Sequence, residues 1–191
     1  MTRLQIAQDP HADEVLSTDA FALLVGMLLD QQFPMERAFA GPAKILDRFG
    51  TLDPMRVADA DPVAFADLCA RPPAVHRYGR SMAGRIQALA RVVVEDYDGR
   101  ASRIWEEADT TRELLTRLQA LPGFGEQKAR IFAALLGKQL GVRRDDWRAV
   151  VGPYAEEGSF RSVADIVSPE SLTKVREYKR AAKAEAKAAK N

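Results

Sequence analysis

The chain has 191 residues, 47% of them hydrophobic, which is enough to bury one sizeable core and short enough for a single domain. Its net charge is +1, so no global field draws a polyanion to it. One cysteine (Cys69) and two histidines (His11 and His76) exclude a disulfide framework, a Cys-rich zinc site and a four-cysteine iron–sulfur cluster within the chain, and argue against a His-based metal or triad site.

Few aromatics and many Ala, Leu and Arg residues favour helices, and strand-like alternation is nearly absent. Thr18 and Asp19 are N-cap candidates ahead of "AFALLVGMLLDQQ", which is apolar all round and reads as a central buried helix. Its apolar run, 21–29, is far too short to span a membrane. The first residues lack the apolar stretch of a signal peptide, and the expectation is a soluble cytoplasmic protein. After Pro34, "MERAFAGPAKILDRFG" resumes the helical pattern and stops at Gly50. "DPMRVADADPVAFADLCAR" predicts two short helices, each opened by Asp-Pro, before Pro72-Pro73 breaks the chain. His76 is expected in a surface loop.

From Arg80, the residues Met82, Ile86, Leu89, Val93 and Tyr97 share one helical face, and "YDGRAS" is a turn. "TTRELLTRLQA" is a short helix with Thr110 as cap and Glu113 as capping-box partner. "LPGFGEQKAR" follows, and then Ala129, Phe132, Ala133, Leu136 and Leu140 line one face of another helix. "GVRRDDWRAVVGPY" is a loop entering a short helix, Ser168-Pro169 is a helix start, and the Ala/Lys-rich end is a frayed basic helix or a disordered end. From Lys174 onward seven basic residues face Glu177 and Glu185, a charge of +5, which leaves −4 on residues 1–173. The expected organisation is a helical domain over 1–173, with its hairpin at 111–140, and a basic tail over 174–191.

Helix, Leu-Pro-Gly-Phe-Gly, helix is a helix-hairpin-helix. Gly123 and Gly125 allow positive φ and close approach of another backbone. The turn aims successive N–H groups outward at the start of the second helix, where the dipole end is positive, and this suits one phosphate. Lys128 and Arg130 are placed to add charge, while Leu121 and Phe124 pack inward. Such contacts position a duplex and read no sequence.

With these segments in view, the chain resembles the helix-hairpin-helix–GPD superfamily of DNA glycosylases over roughly residues 18–152. "LLVGMLLDQQ", "YGRSMAGRIQALARVVVEDYDG" and "LPGFGEQKARIFAALLGKQLG" carry the likeness, in that order. The resemblance implies an all-α fold of two helical lobes flanking a cleft, with the hairpin gripping double-stranded DNA beside it. It implies base excision by a monomer, with Leu121, Gly123, Phe124, Gly125, Gln127 and Lys128 as the hairpin's DNA-binding set. A gap-free count from the hairpin carries the family's catalytic aspartate to Asp145, in the atypical setting "RRDDWRA"; capping of the next helix by Asp145 or Asp146 is the bland alternative.

The family's nucleophilic lysine falls on Gln127, which disfavours a lyase step and implies a monofunctional glycosylase. Gln31 or Gln32, with Gln31 preferred, is placed to fill the gap left by a flipped base. Tyr78, between Arg77 and Arg80, stacks on a base or decorates the surface. Trp105 and Trp147 read as partly buried anchors, and no iron–sulfur cluster or other cofactor is expected. The resemblance allows a monovalent cation at the carbonyls of Leu121 and Phe124. A non-catalytic DNA-binding module on this scaffold is the main rival, and a helical protein-binding adaptor a weaker one.

Overall fold

An apolar helix needs cover on every side, and the fold is organised around supplying it to one segment. In a computed structural model describing residues 3–190, helix α2 (Ala20–Leu29) buries every residue from Phe21 to Leu29. Asp19 starts it, accepting the Ala22 amide at 2.9 Å, a bond of about 1 kcal/mol. Helix α1 (Pro10–Thr18) and helix α3 (Met35–Phe49) pack against it. Two glycines set the α2–α3 approach: a Cβ on Gly26 of α2 would lie 2.5 Å from the Phe39 ring, and one on Gly41 of α3 would lie 2.5 Å from Leu29. Gly50 ends α3 in the left-handed conformation, φ 86°, as its sequence position predicts.

Helices α4 (Pro54–Asp59) and α5 (Pro62–Ala70) each begin at the expected Asp-Pro pair. Asp53 accepts the Arg56 amide and Asp61 the Ala64 amide. Both lie on the long helix α6 (Gly79–Tyr97), whose Met82, Ile86, Leu89 and Val93 are buried as the periodicity requires. Lys44 and Arg48 of α3 donate to carbonyls of Leu68, Arg71, Pro73 and Ala74, holding the segment that leads into α6.

A short helix α7 (Arg103–Glu106) then follows the expected turn, in a stretch whose pattern gives no element; four residues are too few to show a period. Helices α8 (Thr111–Gln119) and α9 (Glu126–Gln139) form the hairpin. Thr110 caps α8 as expected, but the Glu113 carboxylate returns to the Asp109 amide, one residue before the position a capping box requires. Helix α10 (Trp147–Val151) and 3₁₀ turns at Gly152–Ala155 and Val163–Asp165 wrap α9. Lys138 and Asp165, both buried and 2.5 Å apart, fasten the second of these turns to α9.

Helix α11 (Pro169–Ala188) begins at Ser168-Pro169 and continues through position 174 to Ala188, so the basic end takes the helical one of its two expected forms. Leu172 and Val175 anchor its first half, and its second half is exposed. Residues 1, 2 and 191, the last of them in the basic tail, lie outside the described structure. Among the described residues there is no strand, and no helix is long and apolar enough to cross a membrane.

Candidate nucleic-acid interface

The hairpin turn is held from inside and open outside. Leu121 and Phe124 are buried, and the Phe124 ring meets Phe132 edge-on at 6.2 Å. Gly123 takes φ 80°, which a side chain would strain, and its Cβ position lies 2.5 Å from Leu28, so the turn sits directly on α2. Two of the turn's amides are consumed internally, Leu121 N–H donating to Leu118 O at 3.0 Å and Phe124 N–H to Leu121 O at 3.2 Å. The amides of Gly123, Gly125, Glu126 and Gln127 donate to no protein acceptor among the described residues, and these four residues are exposed. Glu126 is the one opposing charge there, and Arg130 pairs with it at 2.8 Å. Leu121 and Phe124 therefore offer only main chain to a ligand. Of the two carbonyls considered for a cation, that of Leu121 already accepts the Phe124 amide.

Lys128 needs correction as a phosphate ligand. Its ammonium turns inward and donates to the carbonyls of Met27 (2.7 Å), Asp30 (3.3 Å) and Leu28 (3.4 Å). It caps the C-terminus of α2, whose last carbonyls lack helical partners. Three donors spent on three carbonyls leave none for a phosphate. Burial, chiefly, lowers its pKa; Lys179 and Arg85 add to this, and Asp30 opposes it. Gln127 points outward instead and donates to the Tyr154 hydroxyl at 3.0 Å.

The loop after α2 lies beside the start of α6, so the structure brings Gln31, Gln32 and Tyr78 around one recess of about 330 Å³, with Ser81, Met82 and Arg85. The preference for Gln31 does not match its surroundings. Its amide folds back to donate to Leu28 O at 2.7 Å and to accept from Arg85 at 3.0 Å. Gln32 is exposed, its side chain makes no hydrogen bond among the described residues, and its backbone is left-handed, φ 52°. A non-glycine residue held there is strained, and such strain collects at functional positions.

His76 is buried where a surface loop was expected. Its Nδ1 accepts the Tyr78 amide at 3.0 Å, which leaves Nε2 protonated to donate to Gln31 O at 2.9 Å. One neutral imidazole thus ties the glutamine loop to α6. Burial, above all, lowers its pKa; the bond to Gln31 O opposes that shift and the nearby Arg77 charge assists it. Phe33 packs on its ring at 4.7 Å, while the exposed Tyr78 lies under the Arg77 guanidinium at 5.0 Å.

Behind the hairpin lies a cavity of about 710 Å³. Met27 and Ile131 contribute apolar wall, Gln127 and Tyr154 the side next to the hairpin, and Tyr178 and Lys179 of α11 the far side. Asp30 is the one carboxylate among its lining residues. Among the described residues nothing donates to the half-buried Asp30 side chain, and burial raises its pKa against the opposing charges of Lys179 and Lys128.

Asp145 is elsewhere. It is exposed, makes no hydrogen bond or ion pair among the described residues, and does not line the cavity. Its neighbour Asp146 accepts the amides of Thr111 and Arg112 at 2.8 and 3.1 Å, so it caps α8 across the chain rather than the helix it precedes. Burial tends to raise the Asp146 pKa, but these bonds outweigh it and lower the net value. The N-terminus of α8 is the end remote from the hairpin turn, about 15 Å away at the rise of a helix. The flanking Trp147 ring sits on Gly137 and Ala133, in the second half of α9. The chain returns alongside α9 through α10, and the residue that meets Gln127 is Tyr154, with Pro153 lining the same cavity. Nor do the adjacent arginines lock Asp145: Arg143 donates to Gly137 O, and Arg144 to carbonyls of Trp105, Glu106 and Ala108.

No motif in the sequence marks Asp30. Its one local signal is an acid at the negative end of a helix dipole, where acids are disfavoured. A family model described as HhH-GPD superfamily base excision DNA repair protein matches residues 25–189. No curated protein matches the chain.

Proposed function

The chain belongs to the HhH-GPD superfamily of base excision DNA repair proteins, and on that premise we propose that it is a monofunctional DNA glycosylase, hydrolysing the N-glycosidic bond of a damaged or mispaired base in duplex DNA. The observation that carries the reading is the row of unengaged amides at Gly123, Gly125, Glu126 and Gln127, set beside a cavity of about 710 Å³. A phosphate on those amides fixes the duplex, and a base turned out of the stack enters the cavity next to it.

Gln32, projecting from the adjoining loop, occupies the vacated place and hydrogen-bonds the orphaned partner base. Tyr154 and Tyr178 offer the cavity its stacking faces. The position aligned with a nucleophilic lysine is Gln127, and an amide forms no Schiff base; Lys128 is held by carbonyls. The protein acts as a monomer, and the exposed basic half of α11 adds sequence-independent affinity.

The test is a panel of duplexes carrying oxidised, alkylated, deaminated and mispaired bases. The expected products are a free base and an intact abasic strand that breaks only after alkali. Strand cleavage without alkali, with a covalent protein–DNA adduct trapped by borohydride, sinks the monofunctional assignment. Tight binding of abasic-analogue DNA without excision of any base favours a non-catalytic module.

A further inference from the structure

We propose that Asp30 is the catalytic carboxylate of this protein, and this rests on the glycosylase reading above. Three independent features single it out. It is the sole acid among the cavity's lining residues. Its main chain is fixed from both sides, with N–H donating to Gly26 O and Met27 O and its own carbonyl accepting from Lys128, while its carboxylate oxygens accept nothing among the described residues. It also stands at the C-terminal end of a buried helix, against the dipole, where an acid destabilises the fold. A rigid backbone, an unengaged anion and a locally unfavourable placement together mark a group kept for chemistry. Lys128 and Lys179 balance its charge from a distance without an ion pair.

In the reaction the C1′–N bond breaks and its electron pair leaves with the base. The positive charge that develops on the sugar faces the Asp30 carboxylate. Water forms the new bond to C1′ and gives its proton to Asp30, which passes it to the departing base nitrogen. The products are the free base and the abasic sugar, and no co-reactant besides water is consumed.

The experiment needs no knowledge of the lesion. Two duplexes are used, one with a neutral tetrahydrofuran abasic analogue and one with a cationic pyrrolidine analogue that mimics the charged sugar. Wild type is expected to bind the pyrrolidine duplex at least about tenfold more tightly. Asp30→Asn is expected to lose that preference while keeping its affinity for the neutral duplex, and Asp145→Asn to retain it. Asp30→Asn is also expected to melt no lower than wild type at neutral pH, because a charge disfavoured by burial is removed.

A pyrrolidine preference that survives in Asp30→Asn, or disappears only in Asp145→Asn, overturns the assignment. Equal binding of both duplexes by wild type overturns it too, yet leaves the protein a DNA binder. Failure to bind either duplex removes the glycosylase reading and this assignment with it.

Discussion

The ammonium of Lys128 lies 2.7 Å from the main-chain oxygen of Met27, a residue 101 positions earlier in the chain. This bond joins the hairpin to the end of α2 and so places the hairpin turn, the glutamine loop and Asp30 relative to one another. Replacing Lys128 by Met should destabilise the protein by about 1.5–3 kcal/mol, since hydrogen bonds from a charged donor are lost. The salt dependence of DNA binding should keep its slope. A lysine on a phosphate would instead reduce the slope by about one. Salt titrations of wild type and variant distinguish the two.

The two hairpin glycines should respond differently. Gly123→Ala places a methyl at φ 80° and against Leu28, and should cost at least about 1–2 kcal/mol of stability. Gly125 has φ −81° and open space around its Cβ position. Gly125→Ala should therefore leave stability within about 0.5 kcal/mol. Its methyl would stand among the free amides and weaken affinity for the tetrahydrofuran duplex. Unchanged affinity in this well-folded variant would argue against the hairpin as a phosphate site.

At the neighbouring loop, Gln32→Gly should raise stability by about 1 kcal/mol by relieving the left-handed backbone at φ 52°. The same variant should lose the hydrogen bonds offered to the orphaned base and excise more slowly. Thermal melts and single-turnover excision, with Gln31→Ala in parallel, report the two effects. A larger catalytic loss in Gln31→Ala would return the probing role to that residue.

His76 makes a pH prediction with a definite sign. Its folded pKa lies below the ordinary 6.5, so its contribution is fully present above that value and is lost as pH falls through the folded pKa. Protonation would remove the lone pair that accepts the Tyr78 amide. The other histidine, His11, titrates in the opposite sense because Asp47 raises its pKa. In a His11→Gln background, a further His76→Asn change should cost stability, and urea melts between about pH 5 and 8 should show that cost shrinking below about pH 6.5. A constant difference would mean that the imidazole is not the neutral tie between the loop and α6.

Lys138 and Asp165 are both buried, and Asp165 also accepts the amides of Arg161 and Ser162. Lys138→Met strands that carboxylate and should cost about 3–5 kcal/mol. Replacing both partners with apolar residues should recover part of the loss; a double variant as unstable as the single would place the cost in the amide bonds to Asp165 instead.

The amino-acid sequence by itself determined the helices, most of their starts and stops, and the glycine hairpin. These depend on a few neighbouring residues: an Asp-Pro or Ser-Pro pair caps a helix, Gly50 ends one, and Leu-Pro-Gly-Phe-Gly turns the chain. The tertiary structure alone decided which charges were free to act. Lys128 and Asp145 look available in sequence and Asp30 looks incidental, but a contact across 101 residues turns the first inward, a cap across 35 residues holds the second's neighbour Asp146 at the far end of α8, and the third stands in the cavity wall. Spacing along a chain measures distance only while the chain continues one element, and the turn-back through α10 breaks that measure.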